Sequence, residues 1–290
     1  MYIEIQAKTL LSTIRGDDPV FGLKYNMNLY RGCEHQCIYC DSRSECYGIE
    51  NFTDVLVKVN AIDLLERELR RKKVTGTIGF GSMSDPYTPA EMTYGLTGKA
   101  LEVICQREFP VHLNTKSDKI LKDAGTLAKI NRVHASVCFT LTTTDDDLAS
   151  IVEPGSPPPS ARLRAMAELA RLGVKAGTAL MPVLPFLEDS VENIVDIVNA
   201  TADHGGTFIV AWFGMSLRDR QRAYYYEKLD KHFPGMRARY ERTFGGRYSC
   251  PAQNADVLEG VFYAQCSRRG IDTHIPRYVP EAAAQQLKLW

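Results

Sequence analysis

The sequence predicts an α/β fold, a partial (β/α)6 TIM-like barrel with an N-terminal extension and a C-terminal helical or irregular cap. Three observations predict it. Between residues 24 and 214, β-prone apolar stretches alternate with segments of helical period, the order that builds βα units around a parallel sheet. Six such strands are legible, fewer than the eight that close a full barrel. From residue 216 onward the alternation stops and the chain reads as helical and irregular. A length of 290 residues suits one such domain, and an apolar fraction of 44% supplies a full core.

The elements follow in order. Residues 1–23 form the extension, 24–215 the barrel and 216–290 the cap. The predicted strands are 24–30, 75–81, 111–116, 133–142, 175–183 and 207–214. Residues 61–73 (AIDLLERELRRKK) place Ile62, Leu65 and Leu69 on one helical stripe. Helices are also predicted over 96–107 and 117–130. A further helix over 160–172 opens after Pro157, Pro158 and Pro159 and stops at Gly173. The last, over 190–204, stops at Gly205 and Gly206. Active sites of such barrels gather at the C-terminal ends of the strands.

Just past the first predicted strand, Cys33, Cys37 and Cys40 stand in a C-x3-C-x-aromatic-C run. Cubane iron–sulfur clusters take cysteine thiolates, normally four. Three close thiolates without an obvious fourth suggest a [4Fe–4S] cluster with one iron left open to a ligand. The bland alternatives are structural zinc, with His35 among its ligands, or unrelated buried thiols. A zinc site needs four N/S ligands, and no second C-x-x-C or H-x3-H follows.

Composition bounds the setting. Lys plus Arg and Asp plus Glu balance at 35 each, so no whole-protein field draws in nucleic acid. No apolar run reaches the roughly 18 residues of a membrane span. The opening MYIEIQ lacks a basic segment followed by an apolar one, so it does not read as a secretion signal. Eight cysteines in this length are no disulfide framework, and a reducing cytoplasm is the expected location.

At the cysteine run the chain resembles the radical S-adenosylmethionine (SAM) enzymes. The stretches NLYRGC and CDSR around the cysteines, SMSDPYTPAE at 82–91 and EPG at 153–155 look like the spore photoproduct lyase-like branch, often labelled DNA repair photolyase. The resemblance covers roughly residues 25–215. It implies a partial barrel, a [4Fe–4S] cluster on Cys33, Cys37 and Cys40, SAM as second cofactor, lyase- or oxidoreductase-type radical chemistry, and a reducing partner such as a flavodoxin or ferredoxin. In that branch a Cys-Thr-Ser-Asp run contacts the methionyl part of SAM; here it matches Ser82, Met83, Ser84 and Asp85. Asp85 would bind the SAM ammonium as a charge-assisted hydrogen bond, although the same run is also a turn signal. The resemblance sets Lys116 against the SAM carboxylate and Thr140 in place of a SAM-contacting serine. Tyr39, Met181 and Val183 belong beside the adenine, and either Arg162 or Arg164 approaches the site.

One departure matters. The branch returns a hydrogen atom from the cysteine of that run, and this chain has Ser82 there. A hydroxyl O–H bond is much stronger than a thiol S–H bond, so serine cannot replace that donor. Cys138 shares a strand face with Thr140, and Cys46 lies six residues past the cluster run. Both are candidate donors, against the plain reading of Cys138 as a small core residue. Residues 218–247 carry nine Lys/Arg against four Asp/Glu, with Tyr224, Tyr225, Tyr226 and Tyr240 interleaved. Cations with aromatics suit a nucleic-acid strand, and an amphipathic helix with core tyrosines has the same pattern. His274 and Arg277 are further candidates to point back to the site. The substrate stays open between nucleic acid, a small metabolite and a peptide. The competing function is a nucleic-acid-binding protein with a structural or redox-sensing cluster.

Overall fold

The structure is a computed structural model that describes residues 1–280; the rest of the predicted cap, 281–290, lies outside the described residues. Its strands are β1 (Tyr2–Ile5), β2 (Ser12–Thr13), β3 (Tyr25–Met27), β4 (Tyr30–Arg31), β5 (Val55–Lys58), β6 (Ile78–Phe80), β7 (Val111–Thr115), β8 (Ala135–Thr140), β9 (Lys175–Leu180), β10 (Phe208–Ala211), β11 (Gly214–Ser216) and β12 (Ser249–Pro251). Its helices are α1 (Ala61–Leu69), α2 (Pro89–Tyr94), α3 (Leu96–Gln106), α4 (Ala124–Ile130), α5 (Asp146–Val152), α6 (Pro159–Arg171), α7 (Val191–Asp203), α8 (Asp219–His232), α9 (Met236–Phe244) and α10 (Ala255–Arg269).

The main sheet has seven strands in the order β10-β9-β8-β7-β6-β3-β2. Six of them run parallel, and β2 joins antiparallel at the edge. These six parallel strands are the six the sequence predicts. Each of the central ones is buried on both faces, which is why they read as unbroken apolar runs. The helices α3, α4, α6 and α7 turn apolar stripes onto the outer face, through Leu101, Ile104, Leu127, Leu169 and Ile194 among others.

Two local readings are corrected. Strand 24–30 is two strands, because the chain leaves the barrel after Met27 and β4 pairs antiparallel with β5. Within residues 1–23, β1 pairs in parallel with β5, giving a small sheet of order β1-β5-β4. The helix predicted over 117–130 begins as a 3-10 segment, Asp118–Asp123, before α4.

At the barrel's open side lie two segments, around Phe21 and around Ile275. Asp272 bridges to Phe208 at the edge of β10. Ile275 then enters the lumen, packed with Phe208, Val210, Cys138 and Phe21. Arg277 donates to the carbonyl of Pro19, so this candidate site residue ties these two segments together.

Candidate functional site

The cysteine loop leaves β4 and lies across the C-terminal ends of the barrel strands. It is held at several points. Ile38 N–H donates to Val152 O at 2.9 Å, and Gly155 N–H donates to His35 O at 2.9 Å. Gln36 sits at φ 53°, and its side chain bridges Cys33 O and Arg43. Gly155 is required for this contact: a Cβ there would lie 2.1 Å from Glu34 O.

Cys33, Cys37 and Cys40 are free thiols, and all three line one cavity of about 410 Å³. Tyr39, Ser82, Asp85, Lys116, Thr140 and Met181 line it too. The structure thus gathers nine of the predicted site residues around one space. Ser84, Val183, Cys46 and Cys138 are not on its wall. Ser84 is buried with its hydroxyl unpartnered, and Val183 belongs to the main core. Cys46 is exposed, its thiol 3.7 Å from Ser44 Oγ. Cys138 is buried in the lumen with Ala179 and Phe208, where burial pushes its thiol pKa up.

Asp85 is the organiser of one wall. It accepts from Thr115 Oγ1 at 2.8 Å, from Lys116 N–H at 2.6 Å and from Tyr87 N–H at 2.9 Å. His35 Nδ1 lies 3.4 Å from Asp85 Oδ2, outside aligned hydrogen-bond geometry. Burial raises the Asp85 pKa, but His35 and these donors outweigh it and hold the carboxyl at about 2. Asp85 therefore fixes the end of β7, from which Lys116 projects. A carboxylate offers about four acceptor positions, so capacity for one more donor remains.

Lys116 Nζ lies 3.9 Å from Glu153 Oε1 and 5.6 Å from the centre of the Tyr39 ring. Burial lowers its pKa, yet Cys37 and Glu153 together raise it above the ordinary value. Glu153 is itself buried. It accepts from the Tyr39 hydroxyl and pairs with Arg162 at 2.5 Å. Arg162 also bonds Thr140 O and Pro157 O, whereas Arg164 faces solvent. Of the two arginines, Arg162 is the one that reaches the site.

The segment 218–247 is occupied with its own packing. Tyr225 and Tyr240 are buried and share a hydrogen bond of 2.9 Å. Arg218 pairs with Asp41 at 2.6 Å. Arg220 donates to the carbonyls of Arg43 and Ile49, and Arg222 to those of Leu217 and Arg247. These three arginines clasp the cysteine loop and the α9–β12 turn, so their guanidinium groups are engaged within the chain.

The sequence did not single out Gln221, Glu188 or Trp212. Gln221 is buried and donates to Tyr39 O and Ser216 O, both at 3.0 Å. Glu188 is buried behind the site, accepting from Thr142 Oγ1 at 2.7 Å and Leu184 N–H at 3.1 Å. Trp212 lines the cavity, and a tryptophan ending a predicted barrel strand was the available signal.

The residues suit an iron–sulfur cluster. Among the described residues, no three His, Cys, Asp or Glu side chains converge on a point for a single metal ion. Three unbridged thiols of one loop instead share a wall, beside a lysine that favours thiolate. Without metal, burial pushes the Cys37 thiol up to about 12 against the pull of Lys116. Coordination removes such a proton outright.

Fold and site together define a partial-barrel enzyme with a cysteine-lined cofactor cavity at the strands' C-terminal ends. Residues 27–214 match the family described as the radical SAM superfamily. The chain belongs to that superfamily, and it is a radical SAM enzyme; membership implies SAM, an iron–sulfur cluster and a reductant. An uncharacterized protein of Mycobacterium tuberculosis is 31% identical over 247 residues, 82% of this chain and 72% of that protein. An uncharacterized protein of Methanocaldococcus jannaschii is 32% identical over 196 residues, covering 67% and 71%. Spore photoproduct lyase, solved with bound AdoMet and dinucleoside spore photoproduct, shares the fold. Its TM-score is 0.70 at 15% identity over 93% of this chain and 80% of that one. The radical SAM methyltransferase TsrM of Kitasatospora setae gives 0.54 at 14% identity, over 83% and 51%. No helix among the described residues is long and apolar enough to cross a membrane.

Proposed function

We propose that Cys33, Cys37 and Cys40 hold a [4Fe–4S] cluster whose open iron takes SAM, and that the chain abstracts hydrogen from an organic substrate. When bound and reduced by a flavodoxin- or ferredoxin-type partner, these cofactors supply a 5′-deoxyadenosyl radical as the abstracting group. The observation that carries the reading is the convergence of the three thiols with Lys116 and Asp85 on one cavity.

The chain's own residues do the binding and orienting. Lys116 pairs with the SAM carboxylate, its charge supported by Glu153. Asp85 holds the Lys116 backbone and offers its remaining acceptor position to the SAM ammonium. The Thr140 hydroxyl, the Tyr39 ring and the Met181 side chain border the rest of the ligand, with Ser84 and Val183 in support behind them. Ser82, bonded to Asn26 at 2.9 Å, borders the cavity without serving as hydrogen donor. Among the described residues, the cavity's only thiols are those of the loop, so this reading assigns no donor role to Cys138 or Cys46. A reducing cytoplasm is the matching compartment.

The test is anaerobic reconstitution with iron and sulfide, then reduction with SAM present. Formation of 5′-deoxyadenosine is expected, and Cys37→Ala should lose both the brown absorption and the product. A well-formed cluster that yields no 5′-deoxyadenosine would favour a structural or redox-sensing cluster instead.

A further inference from the structure

A second cavity, of about 630 Å³, adjoins the first, and the two share Phe21, Met181 and Trp212 in their walls. Single small ligands occupy pockets of about 300–1,000 Å³. The first cavity, about 410 Å³, is at the small end of that range, so a cofactor leaves little of it for a substrate. The second is the adjoining space.

Its far wall is aromatic. Phe213 and Phe262 meet edge-on with ring centres 5.7 Å apart, and Phe262 and Tyr263 follow at 5.3 Å. Trp212 is 45% exposed and Tyr263 51%. Large rings left half in water along a concave wall mark a binding surface.

The charge of the lining is as informative as its shape. Among the described residues no lysine or arginine contributes to it, and the charged side chain on its wall is Glu259. His274, at the rim, faces Asp272 at 3.4 Å. A phosphate backbone depends on cations, and here it would meet a carboxylate. An aromatic group that is neutral or bears an ammonium meets ring faces and an acceptor.

We infer that this second cavity receives the substrate, and that the part it receives is an aromatic group without negative charge. The inference rests on the SAM-cleaving reading for the reaction that follows, but the binding itself does not require it. Phe21, Met181 and Trp212, common to both cavities, are then the wall across which substrate and cofactor meet.

Calorimetric titration of the full chain with tryptamine, indole and indole-3-acetate tests this, with oligothymidylate as competitor. Tryptamine should bind most tightly and indole-3-acetate roughly tenfold more weakly than tryptamine. Glu259→Gln should reduce tryptamine to the affinity of indole, and Tyr263→Ala should weaken all three while thermal melts keep their wild-type midpoint. Indole-3-acetate binding as tightly as tryptamine would overturn the inference. So would displacement of tryptamine by oligothymidylate, no binding of any probe at millimolar concentration, or tryptamine affinity unmoved by both variants. Formation of 5′-deoxyadenosine by the reconstituted enzyme is scored separately; its failure would count against SAM cleavage and leave the binding result standing.

Discussion

Glu153 Oε2 and Arg162 sit 2.5 Å apart, each side chain 1% exposed, against the loop that carries the three cysteines. Breaking a buried pair leaves a charge without a partner, which costs more than the pair contributes. Burial raises the Glu153 pKa, and Arg162 and Lys116 reverse this and hold it below the ordinary value. Arg162→Met should therefore destabilise the fold by about 3–5 kcal/mol in urea titration. The double variant Glu153→Gln, Arg162→Met removes both charges and should lose distinctly less. A single variant within about 1 kcal/mol of wild type would contradict the pairing's role.

Glu188 makes stability depend on pH in the opposite sense to an ordinary carboxylate. Burial raises its pKa to about 8, with the charge of Glu153 adding to the effect. The folded chain then holds a proton that the unfolded chain releases near pH 4.5. Its contribution is complete below the unfolded pKa and is lost as pH rises through the folded one. Glu188→Gln keeps an acceptor for Leu184 N–H, removes the titrating proton and sets its amide against the Thr142 hydroxyl, which turns from donor to acceptor. Melting temperatures should fall between about pH 5 and about pH 9 in wild type and much less in the variant. Parallel curves for the two proteins would rule this out.

The sequence disclosed the parts of this molecule whose cause is local. Six parallel strands were legible because each is an apolar run between breakers, and the cysteine loop was legible because its three cysteines are close in sequence. The sheet of β1, β5 and β4 was not. Its strands are two to four residues long and bring Tyr2 to Val55, a pairing that no local pattern specifies. Glu153 was visible only as part of a short run, since its meaning depends on Arg162 and on Tyr39, 114 residues away. The partners of the arginines around α8 were not legible for a physical reason: a guanidinium set for a carbonyl and one set for a phosphate have the same composition.

Gln221 joins α8 to the cysteine loop with every polar atom used. Its amide donates to Tyr39 O and Ser216 O, and its oxygen accepts from Arg218 N–H at 2.9 Å. Gln221→Leu leaves the Tyr39 carbonyl buried and unpaired next to Cys40, a cost of about 1–3 kcal/mol. The Arg218–Asp41 pair nearby is about a third exposed, so Arg218→Gln should cost under about 1 kcal/mol. Gln221→Leu should also lower the iron bound per chain after reconstitution. The reverse order of the two stabilities would show that the surface pair, not the amide, anchors the cap.

Gly155 separates the stability of the loop from the stability of the barrel. Its N–H reaches His35 O, and an added methyl would meet Glu34 O at 2.1 Å and the His35 backbone at 3.0 Å. These are main-chain atoms, so the clash cannot be relieved by turning a side chain. The cysteine loop must move, and with it the spacing of Cys33, Cys37 and Cys40. Gly155→Ala should therefore lose the cluster's visible absorption while far-ultraviolet circular dichroism stays near wild type. Gly125 in α4 has nothing within 4 Å of its Cβ direction, and Gly125→Ala should retain the cluster and gain up to about 1 kcal/mol in stability. Full cluster assembly in Gly155→Ala would mean that the loop's seat on residues 152–155 does not set the thiol geometry.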